Sequence, residues 1–304
     1  MSHTLIQLEQ HAQSTYGDEA KPRVGFFTDT SVCIGCKACE VACKEWNHVP
    51  DEIEGFSGHS YDNSLALGAN RWRHVAFVEE RKPLGVDAAA ESLVEAAERA
   101  SAVDGWGLQT YQDGEGIRWL MSSDVCKHCT SAACLDVCPT GALFRTEFGT
   151  VVVQEDICNG CGYCVPACPF GVLDQREDDG RVWKCTLCYD RLKDDMEPAC
   201  AQACPTDSIQ FGELDELRER AEKRLARLQD AGADEARLYG ADQDDGVGGF
   251  GAFFLLLDEP ETYGLPPDPV VTTRDLPKVW AGALTAAAAL GAGVAAAVLG
   301  GRRR

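Results

Sequence analysis

The chain lacks several features that would assign it to a common class of protein. Lys and Arg number 28 against 49 Asp and Glu, giving a net charge of −21, which argues against a nucleic-acid-binding surface. Residues 1–23 contain neither the apolar segment of a secretory signal nor a twin-arginine pattern. The sequence also has no Walker motif, nucleophile elbow or HExxH motif, so it gives no support for a self-contained enzyme.

Cysteine, in contrast, is abundant, and the sixteen residues divide into four groups of four. A disulfide-rich secreted domain would be shorter and would not show metal-ligand spacing. The first and third groups have the spacing C-x2-C-x2-C-x3-C, which binds [4Fe–4S] clusters in bacterial ferredoxins. The second group is C-x2-C-x4-C-x3-C and the fourth is C-x2-C-x11-C-x3-C. The groups are Cys33, Cys36, Cys39 and Cys43; Cys126, Cys129, Cys134 and Cys138; Cys158, Cys161, Cys164 and Cys168; and Cys185, Cys188, Cys200 and Cys204.

This spacing has a geometric explanation. Three thiolates placed two residues apart can reach three irons of one cubane, and in two-cluster ferredoxins the fourth cysteine binds the other cluster. A zinc ribbon is the alternative, but zinc sites do not usually place four cysteines in one short run. Because no group lacks a cysteine, we expect four [4Fe–4S] clusters, with all sixteen cysteines as iron ligands.

Strand patterns flank the cysteine groups. Predicted strands lead into the four groups at 24–29, 117–121, 150–153 and 181–184, and others follow at 142–145 and 208–211. We therefore predict an α+β fold of two ferredoxin-like double-cluster modules with insertions. The predicted units are an N-terminal extension (1–23), a four-cluster domain (24–212) with an insertion (45–116), an extension (213–278), a terminal helix (279–301) and a basic tail (302–304).

The insertion and the extension have patterns of their own. In the insertion we expect a strand at 71–78 and an Ala/Glu-rich helix at 87–102. In the extension, leucines at helical spacing predict an amphipathic helix at 213–230. A Gly/Asp-rich linker at 240–251 and an apolar strand at 253–257 follow.

The terminal segment 279–301 contains no charged residue and is long enough to cross a bilayer as a helix. We predict a single transmembrane helix that docks on a membrane partner. A buried Ala-rich helix is the alternative, because the segment is only weakly hydrophobic. Arg302, Arg303 and Arg304 favour a cytoplasmic C-terminus, with the cluster domain on the outer face. Since Arg274 and Lys278 lie on the opposite flank, a cytoplasmic cluster domain is the alternative.

Several stretches around the cysteines carry a family resemblance. They are 33–39, 43–47, 61–63, 157–164, 167–170, 184–191, 197–200 and 263–266. The sequence resembles the iron–sulfur (beta) subunit of membrane-bound respiratory formate dehydrogenase, within the molybdopterin oxidoreductase family, from about residue 24 to the terminal helix. The cysteine groups alone also fit sister subunits of nitrate, sulfur-compound or dimethyl sulfoxide reductases, or of hydrogenases.

The resemblance implies a non-catalytic electron-transfer subunit. Its partners would be a catalytic subunit with a molybdenum or tungsten pterin and a membrane cytochrome b-type or quinone-reactive subunit. It also implies that groups one and four form the first module, nearer the catalytic subunit, and groups two and three the second, nearer the membrane. The implied ligand sets are Cys33, Cys36, Cys39 and Cys204 for cluster 1; Cys185, Cys188, Cys200 and Cys43 for cluster 2; Cys126, Cys129, Cys134 and Cys168 for cluster 3; and Cys158, Cys161, Cys164 and Cys138 for cluster 4.

Basic residues adjoin several ligands: Lys37, Lys44, Lys127, His128 and Lys184. As buried charges they would raise the potentials of neighbouring clusters. As exposed lysines they would instead form surface ion pairs, which is the more common environment of lysine. We do not expect His128 to bind iron, because four cysteines are available for each cluster.

Overall fold

The computed structural model describes residues 15–51, 58, 61–83 and 115–301. Its strands are β1 (Val24–Asp29), β2 (Arg73–Pro83), β3 (Glu115–Val125), β4 (Leu143–Arg145), β5 (Val151–Val153), β6 (Asp174–Gln175), β7 (Val182–Trp183), β8 (Ile209–Glu213), β9 (Arg237–Tyr239) and β10 (Ala252–Leu256). Its helices are α1 (Ala38–Trp46), α2 (Ala133–Asp136), α3 (Cys164–Ala167), α4 (Tyr189–Lys193), α5 (Ala199–Gln202), α6 (Leu214–Asp230) and α7 (Leu276–Gly301). The fold is thus α+β, as predicted.

A four-stranded sheet in the order β8-β1-β10-β9 joins distant parts of the chain. Both phenylalanines of β1, Phe26 and Phe27, are fully buried, which suits a strand covered on both faces. Phe27 stacks on Phe253 of β10 at 5.3 Å between ring centroids. α6 covers the sheet with Leu214, Leu217 and Ala221, which lie three or four residues apart on one helix face. In this sheet β1, the strand before group one, pairs antiparallel with β8, the strand after group four.

Groups two and three are joined in the same way by a smaller sheet. β4 follows group two, β5 precedes group three, and the two strands pair antiparallel with Phe144 opposite Val152. β2 and β3 form an eleven-residue antiparallel ladder. β2 begins at Arg73 and extends to Pro83 because it pairs with β3 along its whole length, so it differs from the predicted strand at 71–78. The helix predicted at 87–102 lies outside the described residues.

The Gly/Asp-rich stretch at 240–251, expected to be a linker, is bound to the group-two loop. The backbone N–H groups of Thr130 and Ser131 donate to the carbonyls of Gly249 and Val247 at 3.0 and 2.8 Å. Residues 246–251 also match the G-x-G-x-x-G spacing, but they lead into strand β10 and not into a helix, so they do not form a dinucleotide-binding turn. The extension therefore packs onto the four-cluster domain through this stretch and β10.

α7 contains a candidate membrane span from Lys278 to Leu299. None of the residues in the most apolar stretch of this span is buried within the chain, and Trp280, for example, is 66% exposed. This exposure contradicts the alternative of a helix buried in the chain's own core. The segment just before the helix contacts groups two and three, since the hydroxyl of Thr272 donates to the carbonyl of Ala167 at 3.0 Å and that of Thr273 donates to Asp136 at 2.7 Å.

Candidate cluster-binding sites

The first predicted set of cysteines lies around one cavity between the group-one loop, the β2–β3 hairpin and β8. Cys33, Cys36, Cys39 and Cys204 line it, and the hydroxyl of Ser123 lies 3.2 Å from the sulfur of Cys39. The loop needs glycine at position 35, where φ is +63° and a Cβ atom would lie 2.6 Å from the ring of Phe77.

The second set is brought together by α1 and α5, which pack against each other. The side-chain amide of Asn47 lies 3.7 Å from the sulfurs of both Cys43 and Cys188. Burial and then the thiolate charges of Cys185 and Cys200 raise the pKa of the Cys43 thiol well above its ordinary value. Cys43, at the C-terminal half of α1, therefore faces the cysteines of group four.

The third and fourth sets line two further cavities. One is lined by Cys126, Cys129, Cys134 and Cys168, and the other by Cys138, Cys158, Cys161 and Cys164. In the latter, the loop comes so close to its neighbour that a Cβ atom on Gly160 would lie 2.2 Å from the carbonyl oxygen of Gly180. The structure therefore brings together each of the four predicted sets.

The four sites follow one another in a single row. Cys39 of the first set lies within electrostatic range of Cys200 in the second, Cys185 of the second lies within range of Cys126 in the third, and Cys134 of the third lies within range of Cys164 in the fourth. An exposed cysteine lies at each end, Cys36 in the first set and Cys161 in the fourth. Such a row, open at both ends, is suited to passing electrons from one partner to another.

The chemistry of the donors fits iron–sulfur clusters. Soft thiolate ligands are those that such clusters use, and the cysteines of the first, third and fourth sets each line a cavity. Among the described residues, no three His, Cys, Asp or Glu side chains are arranged to bind a single metal ion. Burial raises the pKa of Cys39 to about 11 and those of Cys134 and Cys185 to about 12. Without iron these thiols are protonated at neutral pH, so cluster assembly displaces their protons.

Buried cations accompany the thiols. Lys127 and Lys184 are each only 1% exposed, so the interpretation as surface lysines is wrong for these two. The Lys184 ammonium donates to the carbonyls of Val151 and Cys185. Lys44, in contrast, is exposed and pairs with Asp51, and Lys37 forms a partly exposed ion pair with Glu40.

Arg73, at the start of β2, was not among the residues that the sequence singled out. It is 3% exposed, donates to Ser123 Oγ at 3.1 Å and lies over the ring of Phe26. Burial acts to lower the pKa of its guanidinium, but nearby thiolates, chiefly Cys200 and Cys39, raise it above its ordinary value. Arg73 is therefore a fixed positive charge beside the first two sites. Its place in the insertion, far from any cysteine in sequence, gave no signal of this role.

His128 is fully enclosed in the group-two loop. Burial and then the positive charge of Lys184 hold the pKa of its imidazole well below the ordinary value, so the ring is neutral. The backbone N–H of Val151 donates to its Nδ1 atom at 3.1 Å. His128 is among the residues that line the third cavity, together with the four cysteines of the third set.

These sites define a class of protein, an electron carrier built from double-cluster ferredoxin domains. Two family models, each described as a 4Fe-4S dicluster domain, match residues 32–142 and 117–214. The nitrate-inducible formate dehydrogenase iron-sulfur subunit of Escherichia coli is 39% identical over 89% of this chain and 81% of its own length. The formate dehydrogenase iron-sulfur subunit of Haemophilus influenzae is 37% identical over 83% of this chain and 71% of its own. The B subunit of the anaerobic dimethyl sulfoxide reductase of E. coli is 34% identical over 64% of this chain and 76% of its own.

The protein belongs to the family of formate dehydrogenase iron–sulfur subunits, as its motifs indicated. It carries four [4Fe–4S] clusters and transfers electrons through them. The predicted cofactor and the electron-transfer role are thereby confirmed, and the dimethyl sulfoxide reductase subunit represents a sister family.

Proposed function

We propose that this protein is the non-catalytic subunit of a formate dehydrogenase complex. It would receive electrons from a catalytic subunit with a molybdenum or tungsten pterin and pass them to a membrane cytochrome b-type or quinone-reactive subunit. The row of four neighbouring cysteine sets, with Cys36 exposed in the first set and Cys161 in the fourth, is the observation that carries this proposal. The protein's own residues hold the clusters, order them and exclude water between them.

We propose that the four ligand sets are those that line the cavities, together with the set around Cys43. The pairing of β1 with β8 supports the exchange of cysteines between groups one and four. The pairing of β4 with β5 supports the same exchange between groups two and three. In each exchange, the last cysteine of one group joins the first three of the other.

The second module would face the membrane. α7 starts beside α2 and α3, since the hydroxyl of Thr273 donates to Asp136 at 2.7 Å and that of Thr272 to Ala167. The first module would then face the catalytic subunit. The basic tail (302–304) favours a single-pass orientation with the cluster domain outside and the tail in the cytoplasm. Protease should cut the cluster domain in right-side-out vesicles, whereas cutting only in inverted vesicles would contradict this orientation.

The test of the donor is to purify the intact complex without oxygen and to assay substrate-dependent dye reduction. We expect reduction with formate, and about sixteen irons with as many acid-labile sulfides per copy of this subunit. A complex that reacts with dimethyl sulfoxide and not with formate would assign the protein to the sister family. Zinc in place of iron and sulfide would refute the cluster assignment itself.

A further inference from the structure

The imidazole of His128 is a buried polar group that the ligand sets leave unused. It is 1% exposed, and the Val151 N–H donates to its Nδ1 atom at 3.1 Å. A ring nitrogen that accepts a hydrogen bond carries no proton, so the ring proton is on Nε2. The geometry around Nδ1 therefore determines the tautomer.

The Nε2–H group has no hydrogen-bond partner among the residues that the structure describes. A buried donor without an acceptor is costly, and native proteins rarely leave one. His128 is one of the residues that line the cavity formed by Cys126, Cys129, Cys134 and Cys168. Sulfur is the acceptor that a cluster held in this cavity would offer.

Two charged donors, Lys184 and Lys127, line the same cavity, but both already have oxygen partners. The Lys184 ammonium donates to the carbonyls of Val151 and Cys185. The Lys127 ammonium donates to the carbonyl of Val125 at 3.0 Å and to the carboxylate of Asp124. Of these three nitrogen donors, His128 Nε2 is the one that has no hydrogen-bond partner at all among the described residues.

We propose that the Nε2–H of His128 donates a hydrogen bond to a sulfur of the cluster held by Cys126, Cys129, Cys134 and Cys168. His128 is then a positioning residue that sets the potential of the third cluster in the row. Such a bond stabilises the reduced cluster more than the oxidised one, because reduction adds negative charge. This inference rests on the proposed ligand set, but it does not depend on formate as the donor.

Two substitutions of His128 distinguish the loss of this hydrogen bond from a failure of the protein to fold. His128 has φ of +44°, a left-handed conformation that Asn tolerates well. In His128→Asn the side-chain oxygen can still accept from Val151, but the distal donor is lost. In His128→Gln the longer side chain can again reach the cavity with an N–H group. Iron content equal to that of the wild type shows that each variant has folded and loaded its clusters.

The measurement is a potentiometric titration of the full-length protein, followed by electron paramagnetic resonance. A Cys129→Ser variant identifies the signal of the third cluster. We expect His128→Asn to shift the ratio of reduced to oxidised third cluster about tenfold toward oxidised at a fixed potential, which is 59 mV for one electron. His128→Gln should shift it less. In D2O, a coupled deuteron should be present in the wild type and absent in His128→Asn.

A matched control is His74→Asn, since His74 is also buried but already contacts the hydroxyl of Ser64 at 3.0 Å through Nδ1. It should leave the third cluster unchanged. An unshifted potential with an unchanged deuteron coupling in His128→Asn would overturn the proposal. A large coupling from 15N-labelled His128 would overturn it too, by identifying the imidazole as an iron ligand. A complex that fails to oxidise formate would change neither result.

Discussion

Removing the charge of Arg73 should lower the reduction potentials of the first two clusters together. Its guanidinium donates to Ser123 Oγ at 3.1 Å, and that hydroxyl lies 3.2 Å from the sulfur of Cys39. Its Nε and Nη2 atoms have no hydrogen-bond partner among the described residues. A positive charge at this place stabilises the reduced form of any cluster within range, because reduction adds negative charge.

The size of the effect follows from Coulomb's law. A unit charge about 6 to 8 Å from a second charge, at an effective dielectric constant of about 20, contributes roughly 2 to 3 kcal/mol. Since about 1.4 kcal/mol corresponds to 59 mV for one electron, Arg73→Met should lower the potentials of clusters 1 and 2 by roughly 100 mV. The clusters bound by groups two and three should shift much less.

The assay is a redox titration of the full-length protein by electron paramagnetic resonance. Arg73→Lys keeps the charge in nearly the same place and should shift the potentials by a small fraction of the Met effect. Iron content equal to the wild type is required of both variants. Equal shifts in Arg73→Met and Arg73→Lys, or a shift spread evenly over all four clusters, would refute the electrostatic reasoning.

Three further predictions concern the ligand exchange and the packing. Cys43→Ala should remove cluster 2 and leave cluster 1, whereas Cys39→Ala should remove cluster 1 and leave cluster 2. Each variant should lower the iron content from about sixteen to about twelve. Loss of the same cluster's electron paramagnetic resonance signal in both variants would contradict the exchange of cysteines. Gly160→Ala should lower the iron content of the fourth site, because its Cβ atom would lie 2.2 Å from the carbonyl oxygen of Gly180. The control is Gly141→Ala, since Gly141 also has a positive φ of +71° but has open space around it. Equal iron loss in both variants would argue against the steric explanation. Arg118→Met should destabilise the protein by about 1 to 3 kcal/mol, because it removes ion pairs to Glu80 and to the buried carboxylate of Asp258. Anaerobic thermal unfolding measures the loss of stability, and an unchanged Tm would contradict the prediction.

Elements with a clear local periodicity were predicted from the sequence, whereas a short strand held by pairing with a distant segment was not. The strand after group four was predicted at 208–211 and is β8 (Ile209–Glu213), and the amphipathic helix predicted at 213–230 is α6 (Leu214–Asp230). Both depend on local periodicity, which the sequence displays directly. β9 was not predicted, because its three residues are too few to show a period and are held by pairing with β10.

The sequence by itself determined the cofactor. The number of cysteines and their spacing decide how many irons can be reached and by which kind of ligand, and this chemistry is contained in short stretches of the sequence. The uncharged segment at 279–301 likewise predicted a long apolar helix, because length and hydropathy are local properties.

The tertiary structure decided how the groups are combined and which charges surround them. The packing of α1 on α5 and the pairing of β1 with β8 place Cys43 against group four. The β2–β3 hairpin places Arg73 beside Ser123 and Cys39, and Val151 of β5 holds Lys184 and His128 through hydrogen bonds. These contacts join residues that are far apart in sequence, and their register is fixed by strand pairing and packing, which no cysteine spacing encodes.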